Sequence, residues 1–144
     1  DENDKKIKRL TKKFDRVLVD APCTGTGTWR RDPDTRAKYS DLDLENMMSL
    51  QDRILASAAR LTKPGGCLVY VTCSLLREEN EDRIIALLSR RKDYKIVPIP
   101  KIWDEQVTVK GGGKCPTNSE MLRLTPKEHN TDGFFAAVLR RDLD

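Results

Sequence analysis

Apolar residues follow two patterns along the chain, short continuous runs and longer stripes with helical spacing. The runs at residues 14–20 and 67–72 are typical of parallel strands that are buried on both faces. The first run stops at Ala-Pro-Cys-Thr-Gly-Thr-Gly, whose Pro and Gly residues mark a loop, and the second stops at Cys-Ser. The pattern therefore predicts two buried strands that each end in a polar segment.

Two helices are predicted around the second run. Ser40, with Asp43 three residues later, resembles a capping box, and the Lys-Pro-Gly-Gly segment from residue 63 ends the first helix. The second helix is predicted over residues 78–91, with acidic residues in its first turn and basic residues in its last. The apolar positions expected to face the core are Leu44, Met47, Met48, Ile54, Leu55, Ala58 and Leu61 in the first helix and Ile84, Ile85, Leu87 and Leu88 in the second.

The rest of the chain adds short extended segments. Residues 94–98 predict a third, weaker strand, residues 121–124 a short extended segment, and residues 133–139 a last strand. Residues 100–118 hold three consecutive glycines and are expected to form a mobile loop. Alternating strands and helices predict parallel pairing, and the tail without long helices favours an antiparallel edge pair. The expected fold class is α/β, a sheet layered with helices.

Composition narrows the class of protein. The 144 residues fit one domain or part of one, and 38% apolar with 35% charged residues indicate a soluble chain with a thin core. No stretch reaches the roughly 20 apolar residues that cross a bilayer, and no secretion signal is present, so no membrane partner is expected. The chain opens without Met, which we interpret as the boundary of a fragment.

The net charge and the cysteine content do not by themselves indicate a particular partner or site. The net charge of +4 allows an anionic partner without requiring one, and each basic cluster is most simply a solvated face. The four cysteines form no C-x-x-C pair and there is one histidine, so neither a metal site nor a disulfide framework is expected. The expected compartment is the reducing cytoplasm. The basic clusters lie at residues 5–13, 30–31, 90–92 and 140–141.

Two predicted strands end in chemically reactive groups. The first ends in Asp20-Ala-Pro-Cys23 and the second in Thr72-Cys73-Ser74. Ligands of open α/β sheets bind beyond the carboxyl ends of the strands, so neighbouring strands would bring one carboxylate and two thiols into one crevice. Methylation of a pyrimidine at C5 needs such a set, because a thiolate must add to C6, a polar group must hold the base edge, and another group must assist elimination.

Each of these residues also has a plainer interpretation. A cysteine that closes a strand more often packs than reacts, Asp20 can cap the following loop, and residues 24–27 can form an ordinary tight turn. Cys67 lies at the entry of its strand, where packing is the expected role. Cys115 is expected to be incidental, and His129 is expected at the surface.

The segments Asp20-Ala-Pro-Cys-Thr-Gly-Thr-Gly-Thr and Thr72-Cys-Ser-Leu resemble motifs IV and VI of RNA cytosine-5 methyltransferases of the RsmB/Sun/NSUN type. The resemblance implies the C-terminal half of a catalytic domain with a partial Rossmann-like, class I fold that uses S-adenosylmethionine. It covers nearly the whole chain apart from the ends and residues 100–118. Further similar segments begin at Arg30, Leu50, Lys63, Glu78 and Thr131.

The resemblance implies roles for single residues. Cys73 matches the nucleophile that adds to C6, and Cys23 matches the cysteine that assists release of the methylated product. Asp20 matches the acid that lies near the cofactor and the target base. Pro22 matches the residue that shapes the loop under the base, and it is expected beside Asp20 at the cofactor.

The implied partners are S-adenosylmethionine and RNA. Arg30 and Arg31 are expected to contact RNA phosphates, from their charge and position. Single-stranded loops or ends of rRNA or tRNA are the expected substrates, with the target cytosine turned out of its stack. The glycine-rich loop and the acidic strand end that bind the cofactor in this fold are not found in the chain, so we expect the chain alone to be inactive.

Two alternatives stay open. Cys23 can be the nucleophile instead, because a Pro-Cys dipeptide has that role in DNA cytosine-5 enzymes. The chain can also be a non-catalytic RNA-binding or assembly module that keeps the fold without the activity.

Overall fold

The computed structural model describes residues 9–37 and 40–143. The predicted basic cluster at residues 5–13 lies outside the described residues as far as residue 8. The strands are β1 (Phe14–Asp20), β2 (Thr62–Thr72), β3 (Tyr94–Ile96), β4 (Leu122–Leu124) and β5 (Phe134–Arg141). The α-helices of the described part are α1 (Pro33–Ala37), α2 (Asp41–Leu61), α3 (Glu81–Arg90), α4 (Ile99–Gln106) and α5 (Pro126–His129).

The strands form one mixed sheet in the order β1-β2-β5-β3, with β4 paired to β5. β1 and β2 are parallel, with Asp20 opposite Val71, whereas β5 runs antiparallel to β2, with Phe135 opposite Thr72. The carboxyl ends of β1 and β2 and the beginning of β5 therefore lie at the same edge of the sheet. The predicted α/β class and the parallel pairing of the first two strands are confirmed.

The long helix α2 confirms the predicted capping box. The Ser40 hydroxyl accepts a hydrogen bond from the Asp43 amide at 3.3 Å, and the Asp43 carboxylate accepts one from the Ser40 amide at 3.0 Å. Two positions of the predicted apolar stripe, Leu55 and Ala58, are buried against the sheet. The core that α2 and α3 build on this face also contains Val19, Leu68, Tyr70, Ile84, Phe135 and Leu139.

Two predictions of burial are wrong. β1 is not buried on both faces, since Leu18 is 67% exposed and β1 pairs only with β2 in the described sheet. Ile85 does not face the core but is 51% exposed, because Ile84 and Leu87 occupy the inner face of α3.

The predicted mobile loop at residues 100–118 is also wrong in part, since α4 begins at Ile99. Pro98 and the proline in the first turn set the backbone angle that a helix start needs, and buried Ile99 anchors that turn. The predicted antiparallel pairing of the tail strands is confirmed, since β4 pairs antiparallel with β5, although β5 itself lies inside the sheet between β2 and β3. In the described part of the chain, no helix is long and apolar enough to span a bilayer.

Candidate active site

The carboxyl edge of the sheet brings together the two predicted strand ends. The Ala21 amide donates to the Val71 carbonyl at 3.0 Å, which continues the parallel pairing one residue beyond β1. Asp20 is exposed at the tip of β1, and Pro22 is exposed two residues later. The two strand ends therefore lie together as predicted, with Asp20 and Cys73 at the same edge of the sheet.

The thiols of Cys23 and Cys73 are in contact, although 50 positions separate them. Their sulfur atoms lie 3.4 Å apart, within hydrogen-bond distance for sulfur, and both residues are half-buried. Neither thiol is sealed inside the core, so both are open to a ligand at the strand ends. This contact brings together the two cysteines that the sequence singled out.

The contact divides the protons unequally between the two thiols. A hydrogen bond from Cys23 lowers the pKa of the Cys73 thiol from 9.0 to about 7, against burial and the nearby charges of Asp20 and Glu79. The same hydrogen bond, together with burial, raises the pKa of Cys23. The opposite pKa shifts favour an ionised Cys73 thiol beside a protonated Cys23 thiol.

A buried carboxyl group holds the chain around Cys23. Glu79 is fully buried and accepts hydrogen bonds from the Thr24 amide at 2.9 Å and the Thr24 hydroxyl at 2.5 Å. Gln51 of α2 donates to the same carboxyl group at 3.0 Å and to the Pro22 carbonyl at 2.9 Å. The loop after β1 is thereby tied both to α2 and to the turn that precedes α3.

A second buried side chain holds the chain around Cys73. Asn80 accepts a hydrogen bond from the Thr72 hydroxyl at 2.6 Å and donates one to the Ser74 carbonyl at 2.8 Å. The Thr26 hydroxyl accepts from the Leu75 amide at 2.7 Å, which joins this segment to the loop after β1. Residues on both sides of Cys73 are thus held by side chains.

Residues 24–27 form more than an ordinary tight turn. The Gly27 amide donates to the Cys73 carbonyl at 2.9 Å, and the Gly133 amide donates to the Gly27 carbonyl at 2.8 Å. Gly25 adopts a left-handed backbone conformation with φ of 68°, which favours glycine. The turn therefore lies between the Cys73 segment and the residue that precedes β5.

The predicted RNA-contacting residues lie beyond this turn. Arg30 and Arg31 are both exposed, and the Arg31 guanidinium lies 3.2 Å from the Asp132 carboxylate. The structure therefore places Arg31 beside Gly133, at the crevice edge. His129, expected at the surface, is half-buried and its Nδ1 accepts from the Thr125 amide at 3.0 Å.

Sequence reasoning missed Gln51, Glu79 and Asn80 as site residues. One signal was available for Gln51, which interrupts the apolar stripe of α2 at a position that faces the core. Glu79 and Asn80 carried no such local signal, because the five acidic or amide residues in succession at positions 78–82 are typical of a solvated helix start. The Glu79 carboxyl group accepts hydrogen bonds from residues more than 25 positions away in the sequence.

An exposed carboxylate and two half-buried thiols lie at this edge of the sheet. The exposed carboxylate of Asp20 is available to a positively charged group. Within residues 9–37 and 40–143, no cluster of three or more His, Cys, Asp or Glu side chains is arranged to hold a metal ion. The groups available at this edge are therefore two thiols in contact and a carboxylate.

Known proteins similar to this chain are methyltransferases. Residues 1–140 match the family described as 16S rRNA methyltransferase RsmB/F. The ribosomal RNA small subunit methyltransferase B of Shewanella oneidensis is 39% identical over 126 residues, which is 88% of this chain and 27% of the relative. The chain therefore spans about a quarter of the length of that relative.

Two solved structures from Pyrococcus horikoshii share the fold. A methyltransferase homologue aligns with a TM-score of 0.69 and 35% identity, over 94% of this chain and 41% of its own. NSun6, solved with SFG, aligns with a TM-score of 0.70 and 30% identity, over 96% of this chain and 33% of its own.

Proposed function

The chain belongs to the family described as 16S rRNA methyltransferase RsmB/F, and from that membership we propose that it carries the cysteine pair of an RNA (cytosine-5)-methyltransferase. The predicted Rossmann-like methyltransferase fold is confirmed by the solved methyltransferases that align with the chain. Relatives named as ribosomal RNA small subunit methyltransferases support methyl transfer to RNA. Because the chain spans only part of those relatives, the proposal concerns the complete gene product.

In the proposed reaction Cys73 is the nucleophile. The C5 carbon of cytosine is unreactive, and addition of the Cys73 sulfur to C6 breaks the C5–C6 π bond, ends the aromaticity of the ring and makes C5 electron-rich. C5 then bonds to the methyl group of the sulfonium donor, whose sulfur keeps the electron pair of the broken bond and becomes a thioether. Loss of the C5 proton to a base and cleavage of the sulfur–C6 bond restore the ring and free Cys73.

The observation that carries the proposal is the sulfur contact at the strand ends. Two thiols 3.4 Å apart, one with a pKa of about 7 and the other protonated, suit one group for attack and one for assisting product release. Ordinary core packing does not require this difference in ionisation. Both thiols must stay reduced in this chemistry, and a reducing cytoplasm is the proposed compartment.

S-adenosylmethionine is the proposed methyl donor, since the aligned NSun6 structure holds SFG, an analogue of it. When bound, it supplies an electrophilic methyl group. Asp20 and Pro22 fit this ligand, because the exposed Asp20 carboxylate can hold a cationic group or the amino edge of the base. We assign Pro22 to the loop that supports the base and borders the donor.

RNA contact is proposed for Arg30 and Arg31. Both are exposed next to the crevice, where they can neutralise phosphates of a single-stranded RNA segment whose target base is turned out. Replacing Arg30 by Gln should weaken binding to a similar extent for all RNA sequences. The slope of log affinity against log salt concentration should fall by about one. Arg90→Gln, at the far end of α3, is the matched control.

Covalent trapping in the complete gene product tests the proposal. At a pH near 9.0, where Cys73 ionises without the Cys23 hydrogen bond, Cys23→Ala should accumulate a protein–RNA adduct through Cys73 in the presence of donor, because attack proceeds while product release is impaired. The adduct is detected by denaturing gel electrophoresis, and the linked peptide is identified by mass spectrometry. Cys115→Ala, which removes a thiol far along the sequence, is the control and should form no adduct.

The two alternatives give different results in the same experiment. An adduct that forms in Cys73→Ala and passes through Cys23 would make Cys23 the nucleophile. Absence of any adduct, with no methyl transfer to unmodified RNA by the unaltered protein, would leave a non-catalytic RNA-binding or assembly module.

A further inference from the structure

Glu79 and Asn80 are adjacent and fully buried, and each side chain holds residues that flank one cysteine, in the case of Glu79 partly through Gln51. We propose that Glu79 and Asn80 are positioning residues that together set the separation of the Cys23 and Cys73 sulfurs. The inference rests on the proposed function for the use of the two thiols. Its geometric content is independent of RNA and methyl donor, and can be measured without either.

The Glu79 carboxyl group holds the chain around Cys23. Thr24, just after Cys23, donates its amide to one carboxyl oxygen and its hydroxyl to the other. Pro22, just before Cys23, is held through Gln51, which donates both to its carbonyl and to Glu79. All three groups that contact the carboxyl oxygens are hydrogen-bond donors, which match the acceptor oxygens of the carboxyl group.

The Asn80 amide does the same around Cys73. Thr72 donates its hydroxyl to the Asn80 oxygen, and the Asn80 nitrogen donates to the Ser74 carbonyl. Asn80 occupies the N-cap position of α3, where an Asn side chain ordinarily accepts a hydrogen bond from a helix amide, yet it makes no capping bond here. The side chain thus serves the end of β2 in place of the helix.

Adjacency of the two residues is what links the two loops. Because Glu79 and Asn80 share one peptide bond, the segments that bear Cys23 and Cys73 are fastened to the same short piece of backbone. The Tyr70 hydroxyl donates to the Glu79 carbonyl at 2.7 Å and fixes that piece against β2. A shift of either segment would change the sulfur separation of 3.4 Å and with it the hydrogen bond that lowers the pKa of Cys73.

The test uses a trivalent arsenical, phenylarsine oxide, which is held by two neighbouring sulfurs at once with release of water. Thr24→Val and Thr72→Val each remove one hydroxyl donor while nearly preserving side-chain shape. Each should bind the arsenical about ten-fold more weakly, because the second sulfur no longer lies at the required distance. Thr24→Ser and Thr72→Ser keep the donor and should restore binding to that of the unaltered protein.

Three controls accompany the measurement of arsenical binding, which is made on the complete gene product. Cys23→Ala defines binding by a single thiol, and Glu78→Gln alters the exposed neighbour of Glu79 in the same turn and should bind normally. Circular dichroism melting identifies any variant that fails to fold. If one Val variant is unfolded, the Val and Ser pair at the other threonine decides.

The outcomes separate the two proposals. Folded Val variants that bind the arsenical as tightly as the unaltered protein would overturn the positioning role, whatever the methylation assay shows. A failed trapping experiment would leave the arsenical result standing, because that binding needs neither RNA nor donor. If the Val and Ser variants lose arsenical binding equally, the cause is packing around the threonine Cβ atom and not the hydrogen bond. That result would also overturn the positioning role.

Discussion

Gly27 and Gly133 lie in direct backbone contact. The Gly133 amide donates to the Gly27 carbonyl at 2.8 Å, and a Cβ atom added to Gly27 would lie 2.6 Å from both the Gly133 carbonyl oxygen and the Cys73 carbonyl oxygen. Three segments of the crevice therefore meet where no side chain can fit. The contact places the beginning of β5 against the two cysteine-bearing segments.

Gly27→Ala should destabilise the protein and loosen the crevice. The added methyl group meets backbone oxygens on two sides, which cannot move as a flexible side chain can, so a loss of about 1–3 kcal/mol is expected. Urea unfolding monitored by circular dichroism measures the loss. Gly113→Ala is the matched control, because a Cβ atom there meets nothing within 4 Å. Equal midpoints for both variants would contradict the close contact.

Cys23→Ala should raise the pKa of Cys73. The Cys23 hydrogen bond is the main cause that lowers this pKa to about 7, and without it burial and the charges of Asp20 and Glu79 remain, all of which favour the protonated thiol. The alkylation rate of Cys73 by iodoacetamide should then reach half its maximum at a higher pH, closer to 9.0. Peptide-resolved mass spectrometry measures the rate, with Cys115→Ala as the control. An unchanged midpoint would remove Cys23 as the cause.

Arg123→Lys should weaken the segment that follows Cys73. The Arg123 guanidinium donates to the two Glu81 carboxylate oxygens through Nε at 3.2 Å and Nη2 at 2.6 Å, and its Nη1 donates to the Leu75 carbonyl at 2.8 Å. An ammonium group cannot reproduce this planar arrangement, so a loss of about 1–2 kcal/mol in the free energy of unfolding is expected. Lys95→Gln, which removes an exposed pair with Asp142, should cost less than about 0.5 kcal/mol. Similar losses in both variants would argue against the geometric explanation.

Asp93→Asn should change the response to acid. Hydrogen bonding to Arg91, with a further contribution from nearly buried Arg141, lowers the pKa of Asp93 from 3.8 to about 2. A lowered pKa means that the ionised carboxylate stabilises the fold above its unfolded pKa, and that this contribution is lost as the pH falls from 3.8 towards 2. The variant should be less stable near neutral pH.

The same variant should also lose less stability than the unaltered protein between about pH 5 and pH 2. Urea unfolding at several pH values measures both effects. Asp104→Asn, an exposed position in α4, is the control and should follow the unaltered protein. Parallel pH curves for the unaltered protein and Asp93→Asn would contradict the ion-pair explanation.

Local patterns in the sequence determined much of the fold. The capped start of α2 depends on Ser40 and Asp43, three residues apart, so it could be read without knowledge of the rest of the chain. The runs that became β1 and β2 are continuous and end at loop-forming residues. Convergence of Cys23 and Cys73 then followed from one topological rule, that parallel neighbours end at the same edge.

The sequence could not determine features that depend on which surfaces find a partner. Leu18 and Ile85 belong to apolar runs like those of the core, yet both are exposed, because burial depends on the packing of whole elements. The position of β5 inside the sheet is likewise a matter of pairing between distant segments.

The sequence by itself therefore determined the fold class, the positions of the strand ends and which two cysteines meet there. Only the tertiary structure decided that Glu79 and Asn80 are buried and what they hold. Glu79 meets Thr24 across 55 positions and Gln51 across 28, and no local spacing reports a hydrogen bond between residues so far apart. The tertiary structure also decided the opposite pKa shifts of Cys23 and Cys73, because a pKa depends on the groups that surround a thiol in space.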